Sequence, residues 1–121
     1  MIKKIPNYFS HSDDRGSING IINTGTWEEM NLISSIAGTV RGGHYHKHTT
    51  EAFYILEGRV KINTRNIHDS NNHIHEETVH SGDFFIIEPF VLHTFTVVKD
   101  AKWLNLLSKK MNDIDKDFFR E

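Results

Sequence analysis

Four side chains in this 121-residue chain have the types and spacing to hold a divalent cation: His44, His46, Glu51 and His93. Residues i and i+2 of a β-strand point to one face, so His44 and His46 aim two imidazoles at one point. Glu51 has the wrong parity to join them on the same straight strand. The polar spacer Lys47, His48, Thr49 and Thr50 solves this as a connection: the chain reverses, and Glu51 opens a neighbouring strand beside the pair. His93 shares a face with the core-type residues Phe95 and Val97, so its ring also points inward. A single inward histidine is commonly neutral and satisfied by a backbone carbonyl; three with a carboxylate favour an ion. Burying Glu51 alone costs several kcal/mol or forces it to stay protonated. Imidazole nitrogens with one carboxylate oxygen suit a divalent transition metal, and zinc, iron, manganese and nickel all accept such donors.

The elements that must position these groups read as short strands. Residues 1–7 carry Ile2 and Ile5 and suit an edge strand. Residues 11–16 (HSDDRG) form a turn cluster, and residues 17–23 return to β character. Residues 30–37 are apolar at both parities and read as a buried strand, with a short helix as the competing assignment. Residues 59–66 alternate, with Val60, Ile62 and Thr64 on one face and Arg59, Lys61, Asn63 and Arg65 on the other. Residues 69–77 are the most polar stretch and read as a loop. Its His73-x-His75 pair repeats the central spacing, but nothing apolar surrounds it to build a fixed pocket. Strands follow at 84–87, ended by Glu88-Pro89, at 92–98 and at 102–108. The tail, residues 111–121, is charged with an aromatic pair at Phe118-Phe119 and suits a short helical or extended segment docked on the barrel. This rhythm predicts an all-β barrel or sandwich.

Length and composition narrow the classes. A chain of 121 residues is expected to be one domain, burying roughly two-thirds of its unfolded surface. The net charge of −2, with acids and bases interspersed, argues against a nucleic-acid binder. With no cysteine there are no disulfides or thiolate metal sites, which fits a reducing cytoplasm. No apolar run approaches signal-peptide or membrane-spanning length, so a soluble, cytoplasmic protein with no membrane contact is expected. Five of the nine histidines, His11, His68, His73, His75 and His80, sit among polar neighbours and are expected at the surface.

Gly38, five residues, His44-x-His46, four residues, Glu51, six residues and Gly58 resemble the first cupin motif. Residues 82–93 resemble the second, with Glu88 in place of the usual proline, Phe90 in place of the usual glycine, and no asparagine after His93. The resemblance implies a double-stranded β-helix, the cupin or jelly-roll barrel, with His44, His46, Glu51 and His93 as metal ligands. Asp13-Asp14-Arg15-Gly16-Ser17 and Arg41-Gly42-Gly43-His44 resemble segments of cupins that act on nucleotide-linked 4-keto-hexoses. The nearest likenesses are the sugar-nucleotide 3,4-ketoisomerases and the C-terminal cupin domain of bifunctional capsular-polysaccharide enzymes.

By that likeness Arg15 and Arg41 hold the diphosphate, and His44 or His46 is the general base. The assignments compete, because a nitrogen that ligates a metal cannot take a proton. If the metal is a Lewis acid on the keto oxygen, the base comes from another residue, such as Tyr54 or His48. The expected function is isomerase or epimerase in polysaccharide or deoxysugar synthesis. An iron-dependent oxygenase needs the same ligands, and a non-catalytic metal- or ligand-binding cupin is the third class. Spare edge strands such as residues 1–7 point to a homodimer.

Overall fold

The computed structural model describes residues 1–112 and 116–121, and every described element is a β-strand. In chain order these are β1 (Lys3–Lys4), β2 (Phe9–Asp13), β3 (Gly16–Gly20), β4 (Glu29–Ser35), β5 (Val40–His44), β6 (Glu51–Asn66), β7 (His75–His80), β8 (Phe84–Ile87) and β9 (Val91–Leu107). Among the described residues no helix is long and apolar enough to cross a membrane.

Two long strands carry the architecture. β6 and β9 pair antiparallel along most of their lengths, and both bend at the same level. Below the bend, β6 and β9 continue a sheet ordered β1-β8-β6-β9-β4; above it, β7 and β5 flank them instead. The single hydrogen-bonded network thereby folds over into two facing layers, the double-stranded β-helix. Residues 59–66 and 102–108, which read as separate strands, are halves of β6 and β9. The register shifts near Ile55, Glu57 and Arg59 mark the bulge that lets β6 turn the corner without ending.

The bulge also reverses parity. Phe53 and Ile55 face inward before it, and Val60 and Ile62 after it. With Phe85, Ile87, Phe95, Val97 and Trp103 they form one core, in which Phe53 stacks on Phe85 at a centroid distance of 5.1 Å. Gly58 stands at the corner with φ of 96°, and a Cβ there would lie 2.3 Å from Asp100 O.

Two local expectations are corrected. Residues 11–16 are more than a turn: β2 and β3 form a hairpin reversing at Asp14-Arg15, a two-stranded sheet apart from the barrel. Residues 69–77 are not all loop, because β7 begins at His75 and pairs with β6. Only Val79 of it is buried, and its other residues are polar and mostly exposed, which hid the strand. The tail, expected to be helical or extended, falls partly on residues outside those described; residues 116–121 are not helical and dock on the barrel, with Phe119 bridged to Tyr45. The edge strand expected over residues 1–7 is present as the two-residue β1 on β8. Phe90 takes the left-handed conformation, φ 67°, at the position where the motif resemblance expects glycine. Its amide donates to His46 O at 2.7 Å, so the turn forms despite the substitution.

Candidate metal and substrate site

His44 and His93 are paired across β5 and β9, and a shift between Gly42 and His44 breaks the register there. Without that bulge His44 would fall on the outer side with Val40; with it, His44 joins Arg41 on the cavity side. Gly42 permits the bulge, having φ of 102° and leaving only 2.6 Å between a notional Cβ and His93 O. His46 follows β5 in extended backbone held by the Tyr45–Phe119 bridge. Glu51 opens β6, as expected, but β6 is not the neighbour of β5: β9 lies between them in the upper layer, and Glu51 itself belongs to the lower one. The four groups converge across the interior, one donor atom of each lying within 4.8 Å of the others.

Each ligand candidate has its own support. Glu51 Oε1 lies 2.7 Å from His46 Nε2 and 3.1 Å from His93 Nε2. Its other oxygen accepts from Asn105 Nδ2 at 2.9 Å. His93 Nδ1 donates to Val91 O at 2.9 Å, and His46 Nδ1 donates to Asp117 O. Backbone carbonyls thus fix the tautomer and aim of both rings, the outer-shell arrangement common to ligating histidines. His44 is covered by Phe118, stacked at a centroid distance of 4.3 Å, and its Nδ1 is buried with no hydrogen-bond partner.

The electrostatics agree. Burial alone would push the Glu51 carboxyl up, but hydrogen bonds from His46 and His93 hold it well below the usual carboxylate range. Burial opposes a charge on His46, yet the Glu51 carboxylate outweighs it and raises the imidazole. Burial and the neighbouring His93 bring His44 down to about 4, so it is neutral at pH 7. With His93 Nδ1 turned to Val91 O, its Nε2 faces Glu51 Oε1 at 3.1 Å, a contact that a proton or a cation between them makes favourable. The orphaned His44 nitrogen and this donor set fit a divalent ion.

The cavity above the cluster holds about 440 Å³, and its wall includes Arg41, Phe53, Trp103, Asn105, Lys116 and Arg120. Arg15 is not in it. It lies on the exposed β2–β3 hairpin, bound to Asp13 Oδ2 at 2.7 Å. Tyr54, offered as a base, has the parity opposite to Phe53 and Ile55 and does not line the cavity; His48 is exposed in the β5–β6 connection. His73 and His75 pack ring to ring at 4.6 Å but gather no third ligand among the described residues.

Sequence reasoning expected the tail to dock on the barrel but missed its contacts with the site, and it missed Asn105. Asn105 was legible as a polar residue at the inward parity between Trp103 and Leu107. The strap's contacts with the site had no signal. There, the Asp117 carboxylate accepts from Lys47 N, His48 N and Thr49 Oγ1, each at 2.8 Å. Asp117→Ala removes all three bonds and is expected to lower stability by about 2 kcal/mol, read from urea unfolding. An unchanged midpoint would mean that the strap is not anchored there.

Barrel and interior cluster together define a cupin. Residues 11–111 match the family described as "Polysaccharide biosynthesis C-terminal domain", and the chain belongs to it. A curated relative, the UDP-2-acetamido-2,6-beta-L-arabino-hexul-4-ose reductase of Pseudomonas aeruginosa, is 35% identical over 57 residues, 47% of this chain. The chain spans 15% of that relative's length. The capsular polysaccharide assembling protein CapF of Staphylococcus aureus superposes with a TM-score of 0.72 at 22% identity, covering 93% of this chain and 33% of that one. The 3,4-ketoisomerase QdtA of Thermoanaerobacterium thermosaccharolyticum, solved with TDP, gives 0.75 at 18% identity, covering 99% and 87%. At these identities the superpositions show the shared fold.

Proposed function

We propose that the domain catalyses an isomerisation or epimerisation of a nucleotide-linked 4-keto-hexose, by proton transfer next to the ketone, in polysaccharide or deoxysugar synthesis. The observation that carries this is the convergence of His44, His46, Glu51 and His93 under a cavity also lined by Arg41. The relatives support the substrate class: one is named for a UDP-linked hexul-4-ose, and another is a ketoisomerase solved with TDP.

The four cluster residues would hold a divalent transition metal, zinc, iron, manganese or nickel, which when bound supplies Lewis acidity toward the keto oxygen. The chain's own groups do the rest. Arg41 attracts the phosphates, Phe118 covers the cluster from bulk water, and Asn105 holds Glu51 in place. His46 and His93 each have both ring nitrogens engaged, by Glu51 and a backbone carbonyl, so neither takes a substrate proton. His44 alone of the three has no side-chain hydrogen bond among the described residues, so in a second, cation-free reading it accepts the substrate proton; with the four residues holding a cation, the proton passes to water in the cavity. Arg15, far from solvent shielding on its hairpin, serves a phosphate only from a second copy of the chain. A homodimer is part of this reading: β4, at an open sheet edge, exposes Met30 and Leu32. A monomer in sedimentation equilibrium would remove that part.

The test is incubation with dTDP- or UDP-linked 4-keto-hexose in D₂O, with and without EDTA. Solvent deuterium should enter the sugar beside the ketone, and EDTA should abolish it. Exchange that survives EDTA assigns the proton to His44 without a cation. No exchange under either condition overturns the proposal.

A further inference from the structure

Three cations stand at the open end of the cavity. Arg41, Lys116 and Arg120 all line it, and all three are exposed. Arg41 is turned onto Ser35 Oγ at 2.6 Å and Ser34 O at 3.2 Å. Arg120 Nη1 donates to Gly42 O at 3.0 Å, so a second guanidinium is pinned beside the residue that follows Arg41.

The described carboxylates of the wall do not neutralise them. Among the described residues these are Glu29 and Glu51. Glu51 is taken by His46, His93 and Asn105, and Glu29 by Asn31 Nδ2 at 2.9 Å and Met111 N at 3.0 Å. With the described wall carboxylates engaged elsewhere, these cations attract an anion that enters between them. Guanidinium forks and an ammonium suit phosphate oxygens in particular.

Lys116 and Arg120 come from the strap that also holds the site. Asp117, between them, gives its carbonyl to His46, and Phe118 lies on His44. The cations are therefore held in a fixed relation to the cluster, on the solvent side of it.

We infer that Lys116 and Arg120 of the C-terminal strap, together with Arg41, form the seat for the pyrophosphate of a nucleoside diphosphate. The inference rests on the sugar-nucleotide reading and adds to it two binding residues outside the motif segments. With the pyrophosphate there, the sugar extends inward over Phe118 and the cluster, and the base stays outward.

Calorimetric titration of UDP and of dTDP tests this without needing the sugar or the chemistry. Arg120→Gln should weaken binding about 10-fold and Lys116→Gln with Arg120→Gln about 50-fold, as expected for lost charge-assisted bonds. The charge-keeping pair Lys116→Arg with Arg120→Lys should recover most of the affinity, which a purely structural role would not predict. Zinc binding and thermal midpoint should match the parent in both double variants. A neutral double variant that binds UDP and dTDP like the parent overturns the seat and leaves the sugar-nucleotide reading standing. A parent chain that binds neither removes that reading, and the seat with it.

Discussion

Glu51→Gln is expected to lower zinc affinity by about 100-fold or more, since loss of an outer-shell partner alone costs about 10–100-fold. Glu51 is the only anionic donor among the four converging groups. The amide matches the carboxylate in shape, and its oxygen can still accept from Asn105, so the barrel should persist. What changes is the charge. A neutral amide offers zinc one weak oxygen, and the buried site loses the anion that made a cation favourable there. Competition against a chelating dye measures the affinity, and circular dichroism confirms the fold. A folded variant with parental zinc affinity would remove Glu51 from the ligand set.

Gly58→Ala is expected to cost about 3–5 kcal/mol, combining left-handed backbone strain with overpacking. The added Cβ would lie 2.3 Å from Asp100 O and 2.5 Å from Ala101 Cα, both backbone atoms of the strand crossing the corner. Neither can move without reopening the β6–β9 ladder, which carries both layers. Such a loss consumes much of the roughly 5–15 kcal/mol that holds a domain folded. Urea unfolding reads it directly; a change below about 1 kcal/mol would show that the corner relaxes freely. Gly58 is also the last residue of the first motif resemblance, so a motif position has a definite mechanical cause.

Much of the site was legible because inward-pointing polar residues stand out against apolar alternation. His93 between Val91 and Phe95, and the His44–His46 pair, carry that signal. The boundaries were harder. β6 and β9 each read as two strands, because their corners, Leu56–Glu57 and Val98–Asp100, are exposed and look like turns. A bulge that preserves pairing while reversing parity leaves the same local pattern as a strand break. The β2–β3 hairpin was hidden for a different reason: nearly all its residues are exposed, so burial imposes no alternation.

Tyr54 and Arg15 show where resemblance and local pattern part from geometry. Tyr54 sits next to inward residues and is therefore outward, a consequence of period two that the role of base overlooked. Arg15 is held by Asp13 on the projecting hairpin, away from the cavity of its own chain. Lys116, Asp117, Phe118 and Arg120 lie in a tail expected to dock on the barrel, but nothing in the sequence tied them to the site. Their importance depends on where a charged tail returns across the barrel, and no periodicity encodes that return.

The most direct measurement is the zinc stoichiometry and X-ray absorption spectrum of the purified chain after loading and dialysis. The account predicts one zinc per chain, in a shell of nitrogen and oxygen donors with imidazole scattering that diminishes in His93→Ala. Substoichiometric, readily dialysed zinc, or a shell unaltered by that substitution, would contradict it.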